Sequence, residues 1–189
     1  MPRRGAPLSL RAGRAHDSAV RSDPRSARPT TDPSANDERL RELIRGGEGQ
    51  HVEFKRSPRQ LGRALEALCG MLNAGGEALV VFGIGPEEQV VGIDPANLES
   101  TRRSLVRAVA NNISPSVRPE LAVVRLDGQA VVTLSATRRD GVPFYECRGQ
   151  AYVRVGAETL RMSPFERAAL TTRRGRGADG EAAGGRGGP

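Results

Sequence analysis

Tryptophan is absent from this 189-residue chain, and other aromatics are scarce: four phenylalanines and two tyrosines. A platform of stacked bases needs aromatic faces, so that mode of nucleic-acid contact is not expected. No apolar run approaches the ~18 residues of a membrane helix. The opening Met1-Pro-Arg-Arg-Gly-Ala-Pro has basic residues without an apolar stretch behind them, so no secretory leader is expected. The two cysteines, Cys69 and Cys147, are far apart and lack metal-ligand spacing. Free thiols in a reducing cytoplasm are the expectation. Gly-x4-Gly-Lys-Ser/Thr occurs nowhere, which removes a phosphate-cradling P-loop. Gly83-Ile-Gly85 has Glu88 where a dinucleotide fingerprint needs its third glycine. Of the two histidines, His16 lies in the N-terminal arm and His51 on a strand, and neither has a nucleophile and acid spaced around it.

Lysine is the scarcest charge: one, Lys55, against 28 arginines. An ammonium is a compact point charge and a guanidinium a planar fork, so the two are not interchangeable in a tight site. The lone lysine falls in Glu48-Gly-Gln-His-Val-Glu53-Phe-Lys55-Arg56, which also holds two carboxylates five apart. The net charge of +7 belongs mostly to the ends. Residues 1–36 hold seven arginines against three aspartates, and residues 171–189 hold four against two acids. Residues 37–170 are nearly balanced, with 18 basic and 17 acidic side chains. Basic tails favour nucleic acid through counterion release, or are simply solvated.

Residues 1–36, rich in Pro, Ser, Arg and Asp without periodicity, are expected to be a disordered basic arm. Residues 171–189 are expected to be a flexible Gly/Arg-rich tail. Between them, 37–170 reads as one domain. Asn36 or Asp37 caps a short helix over 38–44. Residues 51–55 read as a strand, with Val52 and Phe54 on one face and His51, Glu53 and Lys55 on the other. Ser57-Pro58 opens a helix in which Leu61, Leu65, Leu68, Met71 and Leu72 recur at helical spacing, ending at Asn73-Ala-Gly75-Gly76. The β-branched run 78–83 reads as a buried central strand, turned by residues 86–89 into a partner strand over 90–93. A helix is expected over 97–111. Asp127-Gly128 marks a hairpin between 121–126 and 130–135. A second hairpin joins 144–146 to 151–155, and Ser163 caps a final helix to Leu170. The pattern is α+β, with a mixed β-sheet covered by helices.

Three readings of the charged residues follow. Lys55, Arg56, Arg59 and Arg63 could form one basic ridge suited to phosphates, which Arg102, Arg103, Arg107, Arg148 and Arg154 could widen, or they could be a salt-bridged solvent face. Glu48 and Glu53 flank and enter one strand, so they could converge on a divalent ion, or be solvated carboxylates paired with Lys55 or Arg56. Glu53 and Lys55, two apart on one strand face, could pair or address a phosphate together.

The order of these motifs resembles a known family. It comprises the Glu-x4-Glu-Phe-Lys strand (Glu48, Glu53, Lys55), the helix ending Asn73-Ala-Gly75-Gly76, and the strand ending Gly83-Ile84 with its turn to Val91-Gly92-Ile93. Tyr152-Val-Arg154-Val-Gly156-x2-Thr159 follows, then a helix containing Glu166. This resembles the Schlafen AlbA_2 domain over about residues 45–170. The family is a bacterial and eukaryotic module described as DNA-binding and formerly grouped with divergent AAA ATPases. The resemblance implies a cytoplasmic nucleic-acid-binding module for DNA or RNA, directed at the backbone with low sequence specificity, of the kind found in transcriptional regulators. Its expected interface is Lys55, Arg56, Arg59, Arg63 and Arg154, with no cofactor needed for binding. In eukaryotic relatives the domain belongs to a metal-dependent ribonuclease with three acids. On that alternative Glu48 and Glu53 would hold Mg or Mn and act with Lys55 as catalytic residues. The third acid does not match: Gly85 or Pro86 stands in its place, and Glu87 would substitute only with a shifted hairpin. A further alternative is an ATP-binding or protein-assembly module, including a homo-oligomer.

Overall fold

A computed structural model describes residues 33–180, with side chains placed over 36–172. The expectations for residues 1–32 and 181–189 fall outside the described residues. Helix α1 (Pro33–Arg45) starts earlier than the Asn36/Asp37 cap suggested. Strand β1 (Val52–Lys55) follows, then a 3-10 turn, Pro58–Gln60, that runs straight into α2 (Leu61–Ala74). Ser57 and Gln60 close a reciprocal capping box on that turn, which is why the chain turns sharply here. Strand β2 (Glu77–Phe82) pairs parallel with β1. The expected partner strand over 90–93 shrinks to a single bridge between Ile84 and Val90. Helix α3 (Leu98–Asn112) agrees with its periodicity.

The two-residue β3 (Ile113–Ser114) comes next, then the hairpin of β4 (Glu120–Leu126) and β5 (Gln129–Thr137) at Asp127-Gly128. Short β6 (Glu146–Cys147) leads into β7 (Gln150–Val155), and β7 turns back into β8 (Glu158–Arg161). The β7–β8 hairpin has no strong turn pair in the sequence and was not expected. Helix α4 (Pro164–Gly180) extends past Leu170 into the segment read as a flexible tail.

These elements make an α+β fold with two four-stranded sheets rather than one. The first has the order β1-β2-β5-β4 and is mixed, since only β1 and β2 run parallel. The second, β3-β6-β7-β8, is antiparallel. Alternation along β2 explains its continuous apolar run. Val80 and Phe82 join α2, α3 and the second sheet in one core, while Val81 faces the opposite way. There it packs with Phe54, Val131 and the α1 residues Leu40 and Ile44. Helix α2 packs against β7 on one side and β2 on the other, so Leu65, Leu68, Met71 and Leu72 are all fully buried.

Gly70 of α2 lies against the backbone of β7. A Cβ there would stand 3.2 Å from the Val153 carbonyl carbon and 3.3 Å from Arg154 N. Alanine normally gains ~1 kcal/mol over glycine inside a helix, but backbone cannot yield as a flexible side chain does. Crowding of this kind costs roughly 1–3 kcal/mol and outweighs the gain. Gly70→Ala is expected to lower stability by about 1 kcal/mol, read as a lower urea midpoint at unchanged slope. A higher midpoint would show that β7 can move away.

Candidate nucleic-acid interface

Among the described residues strand β1 is an edge strand, with β2 on one side and no strand on the other. An open edge of this kind invites pairing with other chains. Here side chains and a loop close it. Phe54 N donates to Glu48 Oε1 at 2.7 Å. Val52 O accepts from Gly49 N at 3.0 Å and from Arg154 Nη2 at 3.3 Å. Phe54 O accepts from Lys55 Nζ at 3.0 Å. Glu48 thus stands in for a strand that is not there.

The face of β1 carrying Glu53 and Lys55 is not open. Both residues are buried, at 7% and 8% exposure, and Arg154 of β7 is buried at 3%. Glu53 Oε1 accepts from Lys55 Nζ, and Oε2 lies 2.6 Å from Arg154 Nη1. The second contact is an ion pair without an N–H aimed along it. Nη1 instead donates to Thr159 Oγ1 at 2.9 Å, and Nε donates to Gly49 O at 3.0 Å. Gln50 completes the clasp: its Nε2 donates to Arg154 O at 2.6 Å and its Oε1 accepts from Gly156 N at 2.9 Å. The residues 48–55 are tied in this way to β7 of the second sheet.

Two sequence expectations change with this geometry. Lys55 and Arg154 do not belong to a phosphate-facing surface, because burial and Glu53 withdraw both cations. Glu53 is not a solvated carboxylate, although its pairing with Lys55 is as expected. The other ridge residues remain. Arg56, Arg59 and Arg63 are exposed, and none has an ion-pair partner among the described residues. They project from the capped turn and the start of α2, where Gln60 Oε1 accepts from Arg56 N at 2.9 Å. Of the residues expected to widen the ridge, Arg148 is exposed and approaches α2: its Nη1 is 3.8 Å from where a Gly62 Cβ would sit. Arg102 is paired with Glu99 at 3.5 Å, while Arg103 and Arg107 are exposed on α3.

The family model described as Schlafen, AlbA_2 matches residues 48–163, more than half of the chain. The chain belongs to the Schlafen AlbA_2 family. Among solved structures, the DIP2311 protein of Corynebacterium diphtheriae is similar with a TM-score of 0.50 and 15% identity over 75% of this chain. That likeness is one of fold, and the aligned part is 29% of the DIP2311 chain. The N-terminal domain of a RecG-related protein from Nitrosomonas europaea aligns at 21% identity with a TM-score of 0.42, over 67% of this chain and 92% of that one. No curated protein matches the chain.

In this AlbA_2 domain the acids do not fit the divalent ion that the ribonuclease alternative requires. Both oxygens of Glu53 face cations, and one oxygen of Glu48 is engaged by Phe54 N. Glu48 lines a cleft of about 400 Å³ together with Glu87 and Glu88, but Glu53 does not line it. The structure therefore brings Glu48 and Glu87 to one cleft and leaves Glu53 on the far side of the strand. Among the described residues no group of three His, Cys, Asp or Glu side chains could hold a metal.

The AlbA_2 motif Asn73-Ala-Gly75-Gly76 also carries more than a helix end. Asn73 is buried, and its Nδ2 donates to Tyr145 O and Tyr152 O, both at 2.8 Å. Its Oδ1 accepts from Tyr145 N at 2.7 Å. A polar residue on the apolar face of a helix was the available signal for this role. Nearby, burial pushes the Cys69 thiol up to about 12, and its Sγ donates to Tyr145 O at 3.2 Å. Both cysteines are free and buried, in the manner of packing residues. No helix among the described residues is long and apolar enough to cross a membrane.

Proposed function

We propose that this AlbA_2 domain binds nucleic acid through the phosphate backbone, using Arg56, Arg59 and Arg63 as the primary contacts. The observation that carries the reading is the division of cations along one short segment. Lys55 is buried and neutralised, while the three arginines after it are exposed and unpaired. Exposed charges spaced along a turn and the first turn of a helix suit a row of phosphates, and guanidinium forks suit phosphate geometry. Little sequence preference is expected from such contacts. Family membership supports a nucleic-acid role. Arg103, Arg107 and Arg148 extend the positive surface, and the binding is cytoplasmic on this reading.

Salt dependence is the test. Three phosphate contacts release about 0.9 counterion each on B-DNA, so a fourfold rise in salt should weaken binding roughly 40-fold. Fluorescence anisotropy with labelled DNA and RNA at about 50 and 200 mM salt measures this. Arg56→Ser with Arg63→Ser should shallow the slope by about two units of log affinity per log salt. Absence of binding at low salt, or an affinity indifferent to salt, would overturn the reading.

A further inference from the structure

Arg59 of the ridge also lines a cleft of about 590 Å³, which Arg56 and Arg63 do not line. One wall is Ser57, Pro58 and Arg59 before α2, and the other is the first half of α3 with the Gly92–Asp94 loop. Its chemistry is mixed in a specific way. Leu61, Ile93 and Leu105 form an apolar floor. Ser100, Thr101 and Ser104 of α3 and Asn97 before it present hydroxyls and an amide, and Arg59 lines the cleft with them. The Asp94 carboxylate also lines it but is occupied by Ala96 N at 2.9 Å and Asn97 Nδ2 at 3.4 Å, and the Ser100 hydroxyl donates to Asn97 O at 2.9 Å. Thr101 is the telling residue. The residue is 6% exposed and lines the cleft, and its hydroxyl is not a buried unpartnered group, since among the described residues only Glu53 Oε2 is one, so it is open to the cleft and free to meet a ligand. The Arg59 guanidinium likewise has no ion-pair partner among the described residues.

We propose that this cleft holds one nucleotide unit. Arg59 takes its phosphate, the Thr101 and Ser104 hydroxyls and the Asn97 amide take polar edges of sugar and base, and the apolar floor takes the base face. The volume is in the range of small-ligand sites, which combine apolar walls with a few placed polar groups. No aromatic side chain lines the cleft, so the unit is held by its edges and not by stacking. A paired, stacked duplex cannot offer a single unit to such a cleft, whereas an unpaired strand can splay one out. This inference rests on the backbone-binding reading and adds to it a preference for unpaired nucleotides. The unit is part of a strand or a free mononucleotide, and the two sources are told apart by experiment.

The measurement is anisotropy with a labelled single-stranded oligonucleotide and with the duplex of the same sequence, alongside calorimetric titration with nucleoside 5′-monophosphates. Two variants probe the cleft: Thr101→Val, which removes only the hydroxyl, and Ser104→Trp, at an exposed position, which fills the space. The wild type should bind the single strand at least tenfold more tightly than the duplex. Ser104→Trp should abolish that preference and Thr101→Val should reduce it severalfold, with duplex affinity unchanged in both. Monophosphate binding that is lost in Ser104→Trp, without a single-strand preference, would assign the cleft to a free nucleotide. Wild type that neither prefers the single strand nor binds any monophosphate overturns the inference, as does a Ser104→Trp variant indistinguishable from wild type. Salt-dependent binding of both forms alike, with no monophosphate bound, would remove the cleft proposal and leave the arginine ridge standing. No binding of either form would remove the ridge.

Discussion

Arg154→Leu is expected to lower the unfolding free energy by about 3–5 kcal/mol, the cost of removing one partner from a buried ion pair. The loss has three parts. Glu53 keeps one oxygen on Lys55 but loses the cation 2.6 Å from the other, which is buried without another donor. Gly49 O loses the donation from Nε, and Val52 O keeps only Gly49 N. The link between the first sheet at β1 and the second sheet at β7 is reduced to the Gln50 bonds with Arg154 O and Gly156 N. Arg154→Lys should recover little, because an ammonium cannot reach Gly49 O, Val52 O and Thr159 Oγ1 in the fork geometry seen here. Glu53→Leu alone should also cost several kcal/mol, since it strands two buried cations. Converting Glu53, Lys55 and Arg154 together to apolar residues of similar volume should restore much of the loss, as it does for other buried ion clusters. Urea titrations of the single and triple variants decide this. Stability unchanged in Arg154→Leu would mean that the guanidinium is at the surface in solution. The same experiment answers the question raised by the only lysine. Lys55 is an interior counter-ion, so Lys55→Ala should cost more than the ~1 kcal/mol ceiling of an exposed pair.

Asn73→Ala is the second large effect. It leaves Tyr145 N without its acceptor and removes amide donors from Tyr145 O and Tyr152 O. An unsatisfied buried polar group costs about 1–3 kcal/mol, and Tyr145 O retains only the weak Cys69 Sγ donor. A total of roughly 3 kcal/mol or more is expected. Asn73→Asp is the sharper probe, because shape and acceptor are kept while both donors vanish and a negative charge faces two carbonyls. It should be at least as destabilising as alanine. Amide exchange at Tyr145 should accelerate in the alanine variant. A near-neutral Asn73→Asp would place the side chain outside this network.

These two residues show where reading a sequence succeeds and where it stops. Local physics was legible. The 3.6-residue spacing of Leu65, Leu68 and Leu72 predicts α2, and Asp127-Gly128 predicts the turn between β4 and β5. The Ser57-Pro58 start and the buried apolar run of β2 were equally readable, since each depends on neighbours within a few residues, and the Schlafen AlbA_2 family was readable from the order of such local motifs. What lay out of reach was which side of β1 meets solvent. Alternation assigns Glu53 and Lys55 to one face without saying what covers it. Arg154, about a hundred residues away, decides that, and only the packing of α2 between two sheets brings it there. The same long-range closure holds Glu53 away from the cleft that holds Glu87, while a local bond from Phe54 N turns Glu48 from a ligand candidate into an edge cap. Residue types and spacing determined the elements and the family. Burial decided which charges face solvent, because the cost of desolvating an ion depends on everything packed around it and not on its place in the chain.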